Sequence, residues 1–294
     1  MPDANQFKEQ KPSYTILLCG LPGAGKTRAA MTFPKVYVIG CDPSGLDILK
    51  QKGNEKLLDN LVYFNYLHNE SEDDLKKLFN EKAKADDFFS VYGCLAHAKE
   101  LAQEGAIETL VLDGFNYFVD MRWQYVNEYH VRKSERTGAI DTQAMYRDLG
   151  LYLNRFFAAD LMTMATRLNL NVVVTCHVKR ENPDTVEGVS TGANKRAGKV
   201  AKESDIAPQI EGGFRNKIDG LVGAVLYLEH SSKRDAQGQR ALHYVAHTQK
   251  SPGLDTVLMA KNRYGLPTPL VLTNGSLYDA LMAATANVNS NKAN

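Results

Sequence analysis

An eight-residue segment, GLPGAGKT at residues 20–27, constrains the fold more than any other part of the chain. It matches the pattern G-x-x-x-x-G-K-[ST], follows the apolar run TILLC and precedes a helical stretch, so it predicts a strand, a tight turn and a helix in succession. Backbone N–H groups in such a turn can surround phosphate oxygens at the positive end of the helix. An ordinary glycine-rich turn is the alternative interpretation.

The residue types in this segment indicate a nucleotide with a phosphate tail and a bound Mg²⁺. The Lys26 ammonium would neutralise the terminal phosphates, and the Thr27 hydroxyl would be a ligand of Mg²⁺. The predicted nucleotide-binding residues are Gly20, Leu21, Pro22, Gly23, Ala24, Gly25, Lys26, Thr27 and Arg28.

Apolar runs alternate with helix-length segments as far as Cys176. Strands are predicted at residues 15–19, 36–41, 61–66, 109–112, 171–176, 224–229, 241–247, 257–260 and 270–272. Helices are predicted at residues 26–33, 71–104, 115–135 and 141–168. This alternation predicts an α/β fold with a mostly parallel sheet flanked by helices. The short polar connections between the last strands predict antiparallel strands at the C-terminal end.

Composition excludes some classes of protein. The chain has 294 residues, 44% of them hydrophobic and 23% charged, which excludes fibrous and disordered proteins. The formal net charge is +1, so a nucleic-acid partner would have to meet a local basic patch. No apolar stretch is typical of a signal peptide or a membrane span, so we expect a cytoplasmic protein. Four cysteines without CxxC spacing are predicted to be reduced and mostly buried: Cys19, Cys41, Cys94 and Cys176.

A carboxylate at the end of a second strand is expected to complete the Mg²⁺ site. The run TLVLD ends in Asp113, which we interpret as this acidic ligand, the Walker B residue. Any strand can end in Asp at a turn, so the assignment depends on the glycine-rich segment.

Three further polar residues follow predicted strands. Asp42 would lie beside the terminal phosphate and orient or deprotonate water, although Asp42-Pro43-Ser44-Gly45 is also a turn signature. Asp47 could face the ribose or base, but it is also typical of a helix start. His177 follows NVVVTC and would sense the terminal phosphate, or serve only as a structural hydrogen-bonding group.

The segments GLPGAGKT, VIGCDPSG, TLVLDG and VVVTCH together resemble those of RecA-like ATPases. The resemblance is strongest to the phage AAA-type nucleotide-binding proteins called Sak-type single-strand annealing recombinases, and it spans roughly residues 14–273. It implies a RecA-like P-loop NTPase core that hydrolyses ATP with Mg²⁺ and is stimulated by DNA. Asp42 stands where the wider superfamily usually has Glu, which implies slow turnover. His177 stands where that superfamily often has Gln.

The segment LMAKNRYG at residues 258–265 looks like the K-x-R-x-G segment of hexameric replicative helicases of the DnaB type. The resemblance implies that Lys261 and Arg263 reach the nucleotide of a neighbouring subunit. Residues at i and i+2 of a strand share a face, so both cations could point at one phosphate. A solvated basic hairpin is the alternative.

RecA-like cores bind DNA through loops after the sensor strand, and residues 178–217 are predicted to form such a mobile basic loop. The segment carries acids as well as cations, with a net charge of 8 − 6 = +2. A denser cluster without acids is the predicted DNA-binding site: Lys195, Arg196, Lys199 and Lys202. A plain surface loop is the alternative.

These observations favour an oligomeric ATPase acting on single-stranded DNA in phage recombination or replication, located in the host cytoplasm if the chain is phage-encoded. The expected cofactors are ATP and Mg²⁺, and the expected partners are further copies of the chain in a ring or filament, single-stranded DNA and a single-strand binding protein. An ATPase that loads or remodels a protein such as a helicase is one alternative, and a P-loop small-molecule kinase is another. The predicted domains are a flexible segment (1–13), a RecA-like ATPase domain (14–273) and a C-terminal helix with a disordered tail (274–294), loose from about Ala286.

Overall fold

The computed structural model describes residues 12–45, 47–51, 54–181, 205–210, 213–234, 240–249, 261–272 and 275–291. Ten strands of this part of the chain join in a sheet. They are β1 (Thr15–Gly20), β2 (Val36–Gly40), β3 (Leu61–Tyr66), β4 (Thr109–Asp113), β5 (Asn171–Glu181), β6 (Asp205–Pro208), β7 (Ala224–Arg234), β8 (Arg240–His247), β9 (Lys261–Asn262) and β10 (Leu270–Val271).

Helices cover both faces of the sheet. They are α1 (Lys26–Ala30), α2 (Glu55–Leu58), α3 (Glu72–Leu78), α4 (Val91–Gln103), α5 (Phe115–Tyr129), α6 (Thr142–Arg155), α7 (Thr163–Leu168), α8 (Ile218–Leu221) and α9 (Leu277–Asn291). A π-helical turn at Phe156–Met162 joins α6 to α7, and short 3-10 turns lie at Asp47–Lys50 and Gly213–Asn216.

The strand order is β10-β8-β7-β1-β5-β4-β2-β3, with β6 beside β5 and β9 beside β7. The strands from β7 to β3 in this order run parallel to their neighbours. The strands β6, β8, β9 and β10 pair antiparallel. The predicted fold class, a mostly parallel sheet with antiparallel C-terminal strands, is therefore confirmed.

The register brings the ends of four parallel strands to one edge. Gly20 at the end of β1 pairs with His177 in β5, and Gly40 at the end of β2 pairs with Asp113 at the end of β4. In open α/β sheets ligands bind outside the carboxyl ends of the strands. The predicted polar residues of β1, β2, β4 and β5 accordingly meet at one place.

The apolar core forms two layers because both faces of the parallel sheet are covered. One face, with Leu17, Leu112 and Val174, packs against α4, α5, α6 and α7. The opposite face, with Ile16 and Val173, packs against α1 and α9. Burial on both faces explains why these strands read as continuous apolar runs rather than as alternating patterns.

The helical stretch predicted at about residues 71–104 contains two helices, α3 and α4, with a loop between them. The loop between them packs beneath the first turn of α4. A Cβ atom on Gly93 would lie only 2.0 Å from the Asp87 carbonyl oxygen. The close packing of the loop on α4 therefore requires glycine at position 93. Ser90 begins α4 by accepting a hydrogen bond from the Tyr92 N–H at 3.2 Å.

Several element ends also differ from the predictions. The first helix stops at Ala30 rather than residue 33, and α5 stops at Tyr129 rather than residue 135. The tail is not loose from Ala286, since α9 continues to Asn291. The predicted strand at 257–260 lies outside the described residues.

All four cysteines lie buried without a disulfide bond, as predicted. Among the described residues, we find no helix with the length and apolar character needed to cross a membrane.

Candidate functional site

The glycine-rich segment forms a tight loop between β1 and α1. Gly23 and Gly25 adopt φ values of 77° and 86°, in the left-handed region that favours glycine. Gly25 also touches the Tyr244 ring, since a Cβ atom there would lie 2.8 Å from a ring carbon. The Arg28 guanidinium covers the same ring, 5.5 Å from its centre. Backbone geometry and close packing both require glycine at this turn.

Lys26, the first residue of α1, folds back over the loop. Its side chain is almost fully buried, and Nζ donates to the carbonyl oxygens of Gly20 at 3.1 Å and Leu21 at 3.0 Å. Burial lowers the pKa of this ammonium, and the charge of Asp113 opposes that effect. The ammonium is held by neutral carbonyl groups, so an anionic phosphate at the loop would offer it a stronger partner.

Asp113 lies at the end of β4, directly beside the loop. Its carboxylate accepts from Thr27 Oγ1, at 3.0 Å to each oxygen, and from Thr175 Oγ1 at 2.6 Å. Burial raises the pKa of Asp113, while these two hydroxyl groups lower it. The predicted metal-binding pair, Thr27 and Asp113, is therefore in direct contact. A hydroxyl and a carboxylate beside a phosphate-binding loop fit Mg²⁺, which prefers oxygen ligands and binds through few protein groups.

Asp42 and His177 face each other at the same edge. His177 Nε2 lies 3.8 Å from Asp42 Oδ2, and both side chains are about 15% exposed. The contact with the His177 side chain is the main cause that lowers the pKa of Asp42 to about 2, with two hydrogen bonds from Ser44 adding to it. The backbone N–H of His177 donates to Asn116 Oδ1 at 3.2 Å, which fixes β5 against the start of α5.

Two glycines allow the carboxylates to approach each other. Gly114 has a φ of 85°, and a Cβ atom there would lie 2.8 Å from the Asp42 nitrogen. A Cβ atom on Gly45 would lie 2.5 Å from Asp113 Oδ2. The turns after β2 and β4 thus pack so closely that residues larger than glycine do not fit at positions 45 and 114.

Lys261 and Arg263 lie away from the phosphate-binding loop of their own chain. β9 pairs with the amino end of β7, so Lys261 is level with Val225 and Leu17, whereas the loop begins at Gly20. Three strand residues correspond to about 10 Å along the sheet. Lys261 Nζ donates to the Asp219 carbonyl oxygen, and Arg263 is exposed. The strand covers only Lys261–Asn262, so the predicted i and i+2 pair is not within one strand.

The remaining predicted residues lie outside this cluster or outside the described residues. Asp47 is exposed, and its carboxylate contacts Lys50 Nζ at 2.9 Å. The predicted DNA-binding residues lie outside the described part of the chain: Lys195, Arg196, Lys199 and Lys202. The described ends of the 178–217 segment include strand structure, since Val178 pairs with Pro208 and Glu181 with Asp205.

Sequence reasoning missed several residues of the site. Thr175 and Asn116 contact Asp113 and His177, and Ser44 and Gly45 surround the two carboxylates. The alternation of side chains along a strand could have indicated Thr175, because Thr175 lies on the same sheet face as His177, two residues later. No sequence pattern could have indicated Tyr244, because its strand, β8, is brought to the phosphate-binding loop only by strand pairing within the sheet.

These features define an α/β protein with a phosphate-binding loop, in which the loop, Asp113 and His177 lie at the carboxyl ends of neighbouring parallel strands. The chain belongs to the AAA domain family, whose profile matches residues 13–264. Among solved structures, it is similar to the crystal structure of the RadB recombinase, with a TM-score of 0.32 and 11% sequence identity, covering 82% of this chain and 91% of that one. A comparison with curated protein sequences finds no match.

Proposed function

We propose that this protein binds ATP and Mg²⁺ and hydrolyses the nucleotide. The observation that carries the proposal is the convergence of Lys26, Thr27 and Asp113 on a glycine turn at the carboxyl edge of the sheet. Membership of the AAA domain family supports it.

The roles of the residues follow from their positions. Lys26 leaves the carbonyl oxygens of Gly20 and Leu21 to bind the terminal phosphates, because a charged acceptor binds an ammonium more strongly. Thr27 and Asp113 would hold Mg²⁺, which neutralises charge on the phosphate oxygens when bound.

Asp42 is suited to orienting a water molecule at the terminal phosphate. Its pKa of about 2 makes it a weak base, so it accepts a hydrogen bond from water more readily than a proton. His177 holds Asp42 from β5 and would register loss of the terminal phosphate. A weak base at this position favours slow hydrolysis.

We further propose that the nucleotide state controls how tightly the protein binds single-stranded DNA during recombination. This recombination would be of the annealing or strand-exchange type found in phages. The support is the continuity of β5, which contains His177 and continues to Glu181 in a ribbon with β6. Residues 182–204, with the basic cluster Lys195, Arg196, Lys199 and Lys202, join the two strands of this ribbon. A shift of His177 would move the end of β5, from which residues 182–204 follow along the chain.

Substitution of Lys26 tests the central claim. Lys26→Ala should lower the rate of ATP hydrolysis by about 1,000-fold, since it removes the charge that neutralises the terminal phosphates. The exposed Lys77→Ala serves as the matched control and should keep wild-type turnover. Phosphate release is measured with and without single-stranded DNA, and circular dichroism confirms folding.

Retained turnover in a folded Lys26→Ala protein would refute the proposed nucleotide site. Stimulation by single-stranded DNA supports the recombination role. Stimulation only by a protein partner would favour the loading ATPase, and turnover that requires a phosphate acceptor would favour the kinase.

A further inference from the structure

Thr175 places a hydroxyl group in an otherwise apolar stretch of β5, next to the turn that follows β4. The residue is 1% exposed. Its Oγ1 donates to Asp113 Oδ1 at 2.6 Å and accepts from the Gly114 N–H at 2.8 Å. The shorter distance is typical of a charge-assisted bond to a carboxylate.

We propose that Thr175 is a positioning residue for the divalent cation, because it orients the Asp113 carboxylate toward Thr27. This inference rests on the proposed function. With Oδ1 engaged by Thr175, the other carboxylate oxygen, Oδ2, accepts only from Thr27 among the described residues and keeps capacity for the cation.

The second hydrogen bond of Thr175 extends this role to the other carboxylate. Gly114 begins the turn after Asp113 with a φ of 85° and packs on the backbone of Asp42. Because Thr175 binds the Gly114 N–H, one hydroxyl group on β5 fixes both the metal-binding carboxylate and the support of Asp42.

Loss of this hydroxyl should therefore weaken cation binding without weakening binding of the nucleotide itself. The Asp113 side chain is buried, and Thr175 binds its Oδ1 oxygen. Without the Thr175 hydroxyl group, the carboxylate loses the bond that fixes Oδ1 and can turn away from Thr27, so its oxygens are no longer held in place for the cation. The nucleotide phosphates would bind Lys26 and the glycine-rich loop, and the side chain of Thr175 makes its hydrogen bonds among the described residues to Asp113 and Gly114 instead.

The experiment measures Mn²⁺ binding to the full chain loaded with ADP, by electron paramagnetic resonance. Thr175→Val should weaken Mn²⁺ binding by about tenfold or more, since a hydrogen bond to a charged group contributes about 1.5–3 kcal/mol. Thr175→Ser keeps the hydroxyl group and should stay within about threefold of wild type. ADP affinity measured in EDTA should not change in either variant.

Thr109→Val is the matched control. It makes the same substitution at a buried threonine of the neighbouring strand β4, whose hydroxyl donates to the Pro34 carbonyl oxygen far from the site. Equal Mn²⁺ affinity in wild type and Thr175→Val would overturn the positioning role. If Thr175→Val does not fold, Thr175→Ala is measured by the same criterion. Failure of wild type to bind ADP would instead overturn the proposed nucleotide site.

Discussion

Two carboxylates that face one phosphate-binding loop are driven in opposite directions by their surroundings. Burial raises the pKa of Asp113, and only hydroxyl groups and Lys26 oppose that effect. The His177 side chain lowers the pKa of Asp42 to about 2. Different environments thus give the two acids different chemistry, one suited to a cation and the other to orienting water.

The lowered pKa of Asp42 predicts a pH-dependent contribution to stability. The folded pKa lies below the unfolded value of 3.8, so the contribution is complete above about pH 4 and is lost as pH falls toward 2. Asp42→Asn should therefore lower the free energy of unfolding by about 2 kcal/mol at pH 5, and by progressively less at lower pH. The asparagine oxygen can still accept the bonds from Ser44.

Urea unfolding of both proteins between pH 3 and 5 measures this difference. Asp47→Asn, which removes an exposed carboxylate, is the control and should show no such trend. A difference between wild type and Asp42→Asn that stays constant over this pH range would contradict the lowered pKa of Asp42.

The strand β5 links the site to the segment proposed to bind DNA. It contacts β1 and β4 along its first half, contains Thr175 and His177, and then pairs with β6. The parallel half of β5 is buried, whereas among the described residues the part of β5 beyond it pairs with β6 alone. We propose that a displacement at His177 is transmitted along β5 toward the segment that follows it.

The basic cluster beyond this ribbon should carry the salt dependence of DNA binding. Replacing Lys195, Arg196, Lys199 and Lys202 together by Ala should weaken single-stranded DNA binding and reduce the slope of log K against log salt by about 3, because each lost phosphate contact removes about 0.7. Fluorescence anisotropy over a salt series measures both quantities.

The double variant Lys133→Ala and Arg136→Ala is the control, since these exposed cations lie in the connection between α5 and α6. Its slope should match that of wild type. A quadruple variant with an unchanged slope would place the DNA elsewhere.

At the scale of the whole molecule, Lys261 is level with Leu17, about 10 Å along the sheet from the start of the phosphate-binding loop at Gly20. We propose that the cation pair Lys261 and Arg263 serves the nucleotide of a neighbouring subunit rather than that of its own chain. It can serve a neighbour's nucleotide if subunits stack with the carboxyl edge of one sheet against β9 of the next. The hydrogen bond from the Thr15 N–H to the Tyr264 hydroxyl at 2.8 Å would hold the pair in place.

Mixing two inactive variants tests this arrangement. Arg263→Ala should lose about 1,000-fold in turnover while keeping its nucleotide affinity, as expected for an arginine that acts in trans. Mixed with Lys26→Ala subunits it should regain part of the activity, because some interfaces then combine an intact loop with an intact Arg263. Phosphate release across a series of mixing ratios measures the rescue. If the rate at every ratio is only the weighted mean of the rates of the two variants, the result would argue against a shared site.

Much of the core could be predicted from the sequence because buried parallel strands are continuous apolar runs. The strands around Val38 and Val111 appear near their predicted bounds, and the strand around Val173 begins at its predicted residue but continues beyond Cys176 to Glu181. The break between α3 and α4 could not be predicted, because the packing of Gly93 on Asp87 depends on a contact that helical periodicity does not encode.

The sequence by itself determined the α/β class and the phosphate-binding loop, because strand, turn and helix in that segment depend on local backbone preferences and glycine conformation. The tertiary structure alone decided which side chains complete the site. Thr175, Asn116 and Tyr244 reach it from distant parts of the chain through strand order and register. Such contacts depend on sheet pairing between remote segments, and local sequence patterns do not specify that pairing.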